Sequence, residues 1–162
     1  MIDGMCFFAD TDPSWIVAEL EEGFDDFTEY KSDGGHDPAT DPSASAYVHF
    51  ANGVRAFFNS VKVEMPGSQY ELVCDKGQLE VSDREVNLIR GDSHFQWSRA
   101  NLPLGEYMQT HQLSCVSELI HILENGGGLV SPGEEARKTL EIMLGMLRSH
   151  KLGNHRVDFP LT

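Results

Sequence analysis

Three pairs of short alternating segments, each pair joined by a two- or three-residue turn, fill the middle of this chain and limit its fold more than any other feature. Residues Ala46 to Ala51 alternate apolar with polar, Asn52-Gly53 turns, and Val54 to Ser60 alternates again. Asn-Gly between two such runs is a strong hairpin signal, because both residues tolerate positive φ. Gln69 to Cys74 and Gln78 to Val81 flank Asp75-Lys76-Gly77, and Val86 to Arg90 and His94 to Trp97 flank Gly91-Asp92-Ser93. Connections this short force neighbouring strands to run antiparallel. The pattern predicts a meandering antiparallel sheet.

Residues Met1 to Ala9 read as a helix without a cap before it. Asp10-Thr11-Asp12-Pro13 ends it with turn chemistry. Ser14 to Leu20 reads as a strand, with Trp15, Val17 and Leu20 on its apolar positions. Glu21 to Ser45, rich in Asp, Gly and Pro and poor in apolar anchors, predicts a long mobile loop. After the meander, Leu113, Val116, Ile120 and Leu123 recur at helical spacing within Tyr107 to Asn125. Gly126-Gly127-Gly128 stops that helix. A second helix starts at Ser131-Pro132-Gly133-Glu134, where Ser131 is the expected cap, Pro132 the first helical residue and Glu134 the partner in a capping box. Its expected buried stripe is Ala136, Leu140, Met143, Leu144 and Leu147. Glu134 and Glu135 suit the positive end of its dipole, Arg148 and Lys151 the negative end. Gly153 stops it, and Arg156 to Phe159 makes a last short strand.

Strands grouped together and helices grouped together predict an α+β fold: a largely antiparallel open sheet with helices packed on one face. The other face is then uncovered. Phe57, alternating with Arg55 and Asn59, leaves apolar surface there, which predicts pairing with a second copy into a homodimer or higher homo-oligomer.

At 162 residues, 40% hydrophobic and 23% charged, the chain has the size of one globular domain. Twelve basic residues against 26 acidic ones leave a formal charge of −14. That field repels phosphate backbones and anionic bilayers, so neither nucleic acid nor membrane is an expected partner. Cys6, Cys74 and Cys115 are odd in number, far apart and without a CxxC pair. They predict buried reduced thiols in a cytoplasmic setting rather than a disulfide or zinc framework. The apolar run from Met5 to Ala9 is too short for a signal peptide. A chain that opens inside a helix points to a piece of a longer protein.

The sequence carries little local catalytic chemistry. It has no GxGxxG after a strand and no GxxxxGK[ST], so no nucleotide site is expected here. Its seven histidines form no HExxH or His-x-His pair. His36 lies near Asp33, Asp37 and Asp41, a set able to hold a divalent metal, although a solvated acidic loop is the commoner arrangement and no metal site is assigned. His49 is expected to point from a strand, His111 and His121 to occupy half-exposed helix positions, and His150 a helix end. Ser114-Cys115 lies inside a helix, not on a strained elbow, and Cys74-Asp75 lacks a local base. Asp3 stands out as an acid among Ile2, Met5, Cys6, Phe7 and Phe8. It is either buried, and then in need of a partner, or an exposed residue on the polar side of the helix.

Several stretches taken together resemble one family. Ile2-Asp3-Gly4-Met5-Cys6-Phe7-Phe8 is similar to the end of a His-x-x-Asp motif followed by an apolar helix. Ala44 to Asn59 is similar to that family's strand–Asn-Gly–strand hairpin, and Tyr70 to Val81 to its short strand, Gly and strand. Val130 to Leu140, continuing through Arg156-Val157-Asp158-Phe159-Pro160-Leu161, resembles its closing helix and last strand. In order and spacing these resemble the C-terminal domain of the Gfo/Idh/MocA (glucose–fructose oxidoreductase/inositol dehydrogenase) family over nearly the whole chain, the loop Glu21 to Ser45 excepted.

The resemblance implies a partner half, an N-terminal Rossmann domain that binds NAD or NADP and contributes a catalytic lysine. Residues 1–162 are then the single substrate-binding and oligomerisation domain, with a sugar, polyol or cyclitol as substrate. Asp3 matches the motif's aspartate and is the one substrate-binding candidate; the matching histidine falls one residue before Met1. Alcohol oxidation needs a base for the hydroxyl proton, and the resemblance assigns that to a His/Lys pair not contained in these residues. The chain by itself is therefore expected to bind no cofactor and to be inactive. Two other readings stay open: a non-catalytic ligand-binding or dimerisation module, and a metal-dependent hydrolase built on His36. A strand, GxGxxG and Glu-Lys-Pro encoded upstream favour the oxidoreductase, and stoichiometric metal favours the hydrolase.

Overall fold

The computed structural model describes residues 2–21, 42–61, 69–82, 84–93, 96–104 and 111–162. Along the chain run α1 (Ile2–Ala9), β1 (Pro13–Leu20), β2 (Ala44–Phe50), β3 (Arg55–Ser60), β4 (Gln69–Cys74), β5 (Gly77–Ser82), β6 (Val86–Ser93), β7 (Gln96–Leu102), α2 (His111–Asn125), α3 (Gly133–Lys151) and β8 (Val157–Asp158). Every described strand pairing is antiparallel. The class is α+β, as the grouping of strands and helices predicts. The expected single meander is instead divided into two four-stranded sheets, ordered β3-β2-β1-β8 and β4-β5-β6-β7. Turn chemistry specifies three hairpins between adjacent segments; all three form, and β5 pairs with β6 as a fourth. It carries no information on whether β3 and β4, joined by a longer link, also pair. The chain forms two compact units, one of Met1–Val63 with Val130–Thr162 and one of Glu64–Leu129.

In the first unit, β1 is central. Its inward residues Ile16, Ala18 and Leu20 stand opposite Val48, Ala46 and Ala44 of β2. With Phe50, these pack against Ile142 and Met146 of α3 and Cys6 and Ala9 of α1 to form the core. Helix α3 lies on β1, and α1 on α3. Gly145 allows this close approach: a Cβ there would fall 2.6 Å from the Phe159 ring and 3.0 Å from Ile16.

β8 is too short to cover the whole edge of β1, pairing only with Trp15 and Ile16. Beyond it, the C-terminal turn of α3 takes over. The Ala18 N–H donates to Ser149 Oγ at 2.9 Å, and Ser149 donates to the His155 carbonyl at 2.7 Å. The Leu20 N–H donates to His150 Nδ1 at 3.3 Å. A helix end thus replaces the missing strand partner and satisfies buried backbone groups that would otherwise be orphaned.

The Asn52-Gly53 hairpin forms as predicted, but only Gly53 takes a positive φ, 87°. Asn52 serves differently. Its Nδ2 donates to the Ala9 carbonyl at 2.9 Å, tying the hairpin to the end of α1, and its Oδ1 accepts the Val54 N–H. At the other end of the hairpin the ladder extends past the strands: the Glu21 N–H donates to the Ser43 carbonyl at 2.8 Å. The expected loop Glu21 to Ser45 is therefore narrower, its ends belonging to the ladder; residues 22–41 lie outside the described set, His36 among them.

Helix α3 corrects two expectations. Pro132 occupies the cap position itself, in an extended conformation and without a side-chain cap bond. Ser131 is thereby one residue too early, and the Ser131–Glu134 capping box does not form. The buried face is Ile142, Gly145, Met146 and Ser149, whereas Leu140, Met143 and Leu144 are exposed. Both faces carry helical periodicity. Close contact through Gly145 and hydrogen bonding through Ser149 select the less apolar one.

In the second unit the sheet is two-faced. Leu72, Leu79, Leu88 and Ala100 form one cross-strand row, and Glu71, Glu80, Asn87 and Asn101 form a row on the opposite face. The third hairpin turns later than expected. Gly91-Asp92-Ser93 still belongs to β6, with a register irregularity between Gly91 and Ser93; residues 94 and 95 lie outside the described set. α2 ends at Gly126 and Gly127, both with positive φ, as the triple glycine predicts. Its periodic residues Leu113, Val116, Ile120 and Leu123 are exposed rather than buried. Spacing makes a helix amphipathic; it does not supply a surface to cover it. No described helix is long and apolar enough to cross a membrane.

Candidate functional site

Asp3 lies in the first turn of α1, where a carboxylate is favoured by the helix dipole. It is exposed, so the second of the two sequence readings holds. It is not isolated. Thr139, on α3 and 136 residues away in sequence, directs its hydroxyl at Asp3 Oδ1 from 3.4 Å, a long contact for an O–H donor. Beneath them lies Cys6, almost fully buried. Burial raises its thiol pKa, a hydrogen bond from Thr139 opposes that rise, and the charges of Asp3 and Glu135 add to it.

The same seam carries an ion cluster. Lys138 Nζ sits 2.7 Å from Glu135 Oε1 and 3.3 Å from Asp12 Oδ1. The bond to Glu135 is the main reason its ammonium pKa is raised. Lys138 links α3 to the turn after α1 and so fixes the helix that carries Asp3. Neither Thr139 nor Lys138 was singled out in the sequence. Helical spacing puts them on one side of α3, but only the packing of α1 against α3 brings them near Asp3.

The opposite face of the first sheet is built from aromatic residues. The His49 ring stacks on the Trp15 indole, centroids 5.2 Å apart and planes 4° apart. Tyr47 packs against both Trp15 and Phe57. The Arg156 guanidinium lies 4.5 Å from the Trp15 ring centroid while pairing with Asp158. His49 Nδ1 is buried with no hydrogen-bond partner among the described residues. Phe57 is 82% exposed. Alternation in β1 and β2 places these rings on one face, and the pairing of Trp15 with His49 stacks them.

The remaining sequence candidates do not assemble. His36, Asp33, Asp37 and Asp41 lie outside the described residues, as does His94. Among the described residues no group of three or more His, Cys, Asp or Glu side chains comes together to hold a metal. Of the three thiols expected to be buried, Cys6 is; Cys74 and Cys115 are exposed. His121 is exposed and bonded to Asn125. The described strands include no parallel βαβ crossover, and the sequence has no Gly-rich strand-to-helix turn.

The solved structures similar to this chain are Gfo/Idh/MocA-type oxidoreductases. No family profile and no curated protein matches the sequence. Among solved structures, aldose–aldose oxidoreductase from Caulobacter crescentus, complexed with glycerol, superposes with a TM-score of 0.71 at 12% identity, over 98% of this chain and 44% of that one. UDP-N-acetylglucosamine 3-dehydrogenase GnnA from Acidithiobacillus ferrooxidans gives 0.70 at 11% identity, over 93% and 46%. The WlbA dehydrogenase from Bordetella pertussis, in complex with NADH and UDP-GlcNAcA, gives 0.64 at 14% identity, over 99% and 43%. At these identities the likeness is one of fold. The chain spans less than half the length of each of these three structures.

Proposed function

We propose that this chain is the substrate-side domain, residues 1–162, of an NAD(P)-dependent oxidoreductase acting on an alcohol group of a sugar, polyol or cyclitol. The observation that carries this reading is the match of nearly the whole chain to less than half of several dehydrogenases, two of which are named for, or bound to, sugar nucleotides. In this reading Asp3 hydrogen-bonds a substrate hydroxyl, which suits an exposed carboxylate with one neighbouring hydroxyl donor. The cofactor and the proton-transfer groups belong to a nucleotide-binding half that these residues do not contain.

The exposed ring of Phe57, beside Tyr47 and Trp15, supports a second element of the proposal: the open face of the first sheet meets another copy of the protein. The three free cysteines support a reducing, cytoplasmic setting. The test is a side-by-side titration with NADH and NADPH of the full gene product and of residues 1–162, followed by oxidation assays on a sugar and polyol panel. The proposal expects binding and turnover from the full product alone, with turnover reduced in Asp3→Asn. Nucleotide binding by the 162-residue chain, or an upstream sequence without a dinucleotide fold, would overturn it.

A further inference from the structure

The sequence contains two Asn-Gly pairs, Asn52-Gly53 and Asn125-Gly126, and the fold holds them differently. Such a pair is open to attack by its own backbone. The glycine nitrogen can reach the carbonyl carbon of the asparagine side chain, and no side chain on the glycine blocks the approach. A formed helix or hairpin keeps the two atoms apart, so the reaction waits on local opening.

Asn52 is held at both ends of its amide. Nδ2 donates to the Ala9 carbonyl at 2.9 Å, and Oδ1 accepts the Val54 N–H at 3.1 Å. The Gly53 N–H donates to the Phe50 carbonyl at 3.0 Å. This turn closes the β2–β3 ladder and is tied to α1, so opening it means disturbing the sheet that carries the core.

Asn125 is the last residue of α2 and is exposed. Gly126 and Gly127, with φ of 77° and 123°, lead the chain out of the helix. A side chain at either would meet nothing within 4 Å. Leu123, on the same turn, is 77% exposed, so little tertiary packing holds that turn. The Gly126 N–H donates to the Ile122 carbonyl at 2.8 Å, an end bond of the kind that frays. Asn125 Nδ2, the nitrogen that would leave, lies 3.0 Å from the His121 carbonyl and 3.2 Å from His121 Nδ1. The imidazole is therefore within proton-transfer reach of the leaving group.

We propose that Asn125-Gly126 is a self-deamidation site with His121 as its proton relay. The Gly126 nitrogen bonds to Asn125 Cγ and closes a succinimide ring. The proton it gives up passes through the His121 imidazole to Nδ2, and the Cγ–Nδ2 bond breaks to release ammonia. Water then adds to one of the ring carbonyls and breaks its bond to nitrogen, leaving isoaspartate or aspartate at position 125. Nothing is oxidised or reduced. The product puts a carboxylate at the negative end of the α2 dipole, where Nδ2 had donated to the His121 carbonyl, so the last turn of the helix loosens. Asn52 stays intact.

The test is incubation of the folded 162-residue chain in neutral buffer, with peptide mass mapping and isoaspartate detection at both pairs, repeated in urea. Conversion at Asn125 should run about tenfold or more faster than at Asn52 in the folded chain, the effect of easier local opening. In urea the two rates should become comparable. His121→Phe leaves helix propensity nearly unchanged and should slow conversion at Asn125 severalfold through loss of the relay. That rate is read relative to hydrogen exchange at the Gly126 N–H, so that altered fraying is not mistaken for a lost relay. No conversion at Asn125, conversion at Asn52 as fast as at Asn125, or a preference that persists undiminished in urea would each overturn the proposal. So would an exchange-corrected rate unchanged in His121→Phe.

Discussion

Ser149, on the last turn of α3, is fully buried and accepts the backbone N–H of Ala18 at 2.9 Å. Its own proton goes to the His155 carbonyl. One hydroxyl thus joins the helix, the central strand and the segment entering β8. Ser149→Ala should destabilise the chain by about 1–3 kcal/mol, the cost of leaving buried backbone groups unpaired. Urea denaturation measures this; a loss much below 1 kcal/mol would mean that water takes the place of the hydroxyl.

Gly145 makes the contact between α3 and β1 possible. In Gly145→Ala the added methyl would sit 2.6 Å from the Phe159 ring and 3.0 Å from Ile16. Overpacking of this kind costs about 1–3 kcal/mol, whereas alanine returns about 1 kcal/mol of helix propensity. The net expectation is a lower melting temperature. An unchanged or raised one would show that Phe159 moves aside freely.

Burial holds the Cys6 thiol in its neutral form, its pKa raised above the ordinary value of 9.0. The unfolded chain ionises first as pH rises. The stabilisation is therefore complete below the ordinary thiol pKa and is lost as pH climbs through the folded one. Stability measured across that alkaline range should fall less steeply in Cys6→Ala. Native alkylation should modify Cys74 and Cys115, which are exposed, and spare Cys6.

His49 Nδ1, without a partner among the described residues, costs stability, whereas the stacking of its ring on Trp15 contributes. His49→Phe keeps a ring and removes the orphaned atom, so it should be neutral or stabilising. His49→Ala loses the stack and should destabilise by roughly 1 kcal/mol. Thermal melts of the two variants separate the effects; equal losses in both would show that the ring nitrogen is in fact paired.

If the aromatic face meets a second copy, Phe57→Asp places a charge at the centre of that contact. Sedimentation should then show the wild-type chain associating with concentration and the variant remaining monomeric, with the fold unchanged by circular dichroism. A wild-type chain that stays monomeric at high concentration would remove the dimer from the functional proposal.

Local chemistry made much of this fold legible. Alternation and short turns determined the hairpins β2–β3 and β4–β5, and with them the placing of Phe57 and Glu71 away from the apolar rows. The triple glycine determined the end of α2, and Gly153 the end of α3. Interactions of this kind act within a few residues, so the sequence states them directly. The rest depended on which surfaces meet. Two faces of α3 had helical spacing, and the choice fell to the one where Gly145 allows close approach and Ser149 reaches the edge of β1. The division into two sheets likewise follows from pairings that no turn specifies. Asp3 could be picked out as an unusual acid, with Cys6 one turn along the same helix, but its neighbours from α3 could not: Thr139 lies 136 residues away, and it and Lys138 come near only because α1 packs on α3. Contacts across such separations are set by shape and burial in the assembled core, which no short stretch of sequence encodes.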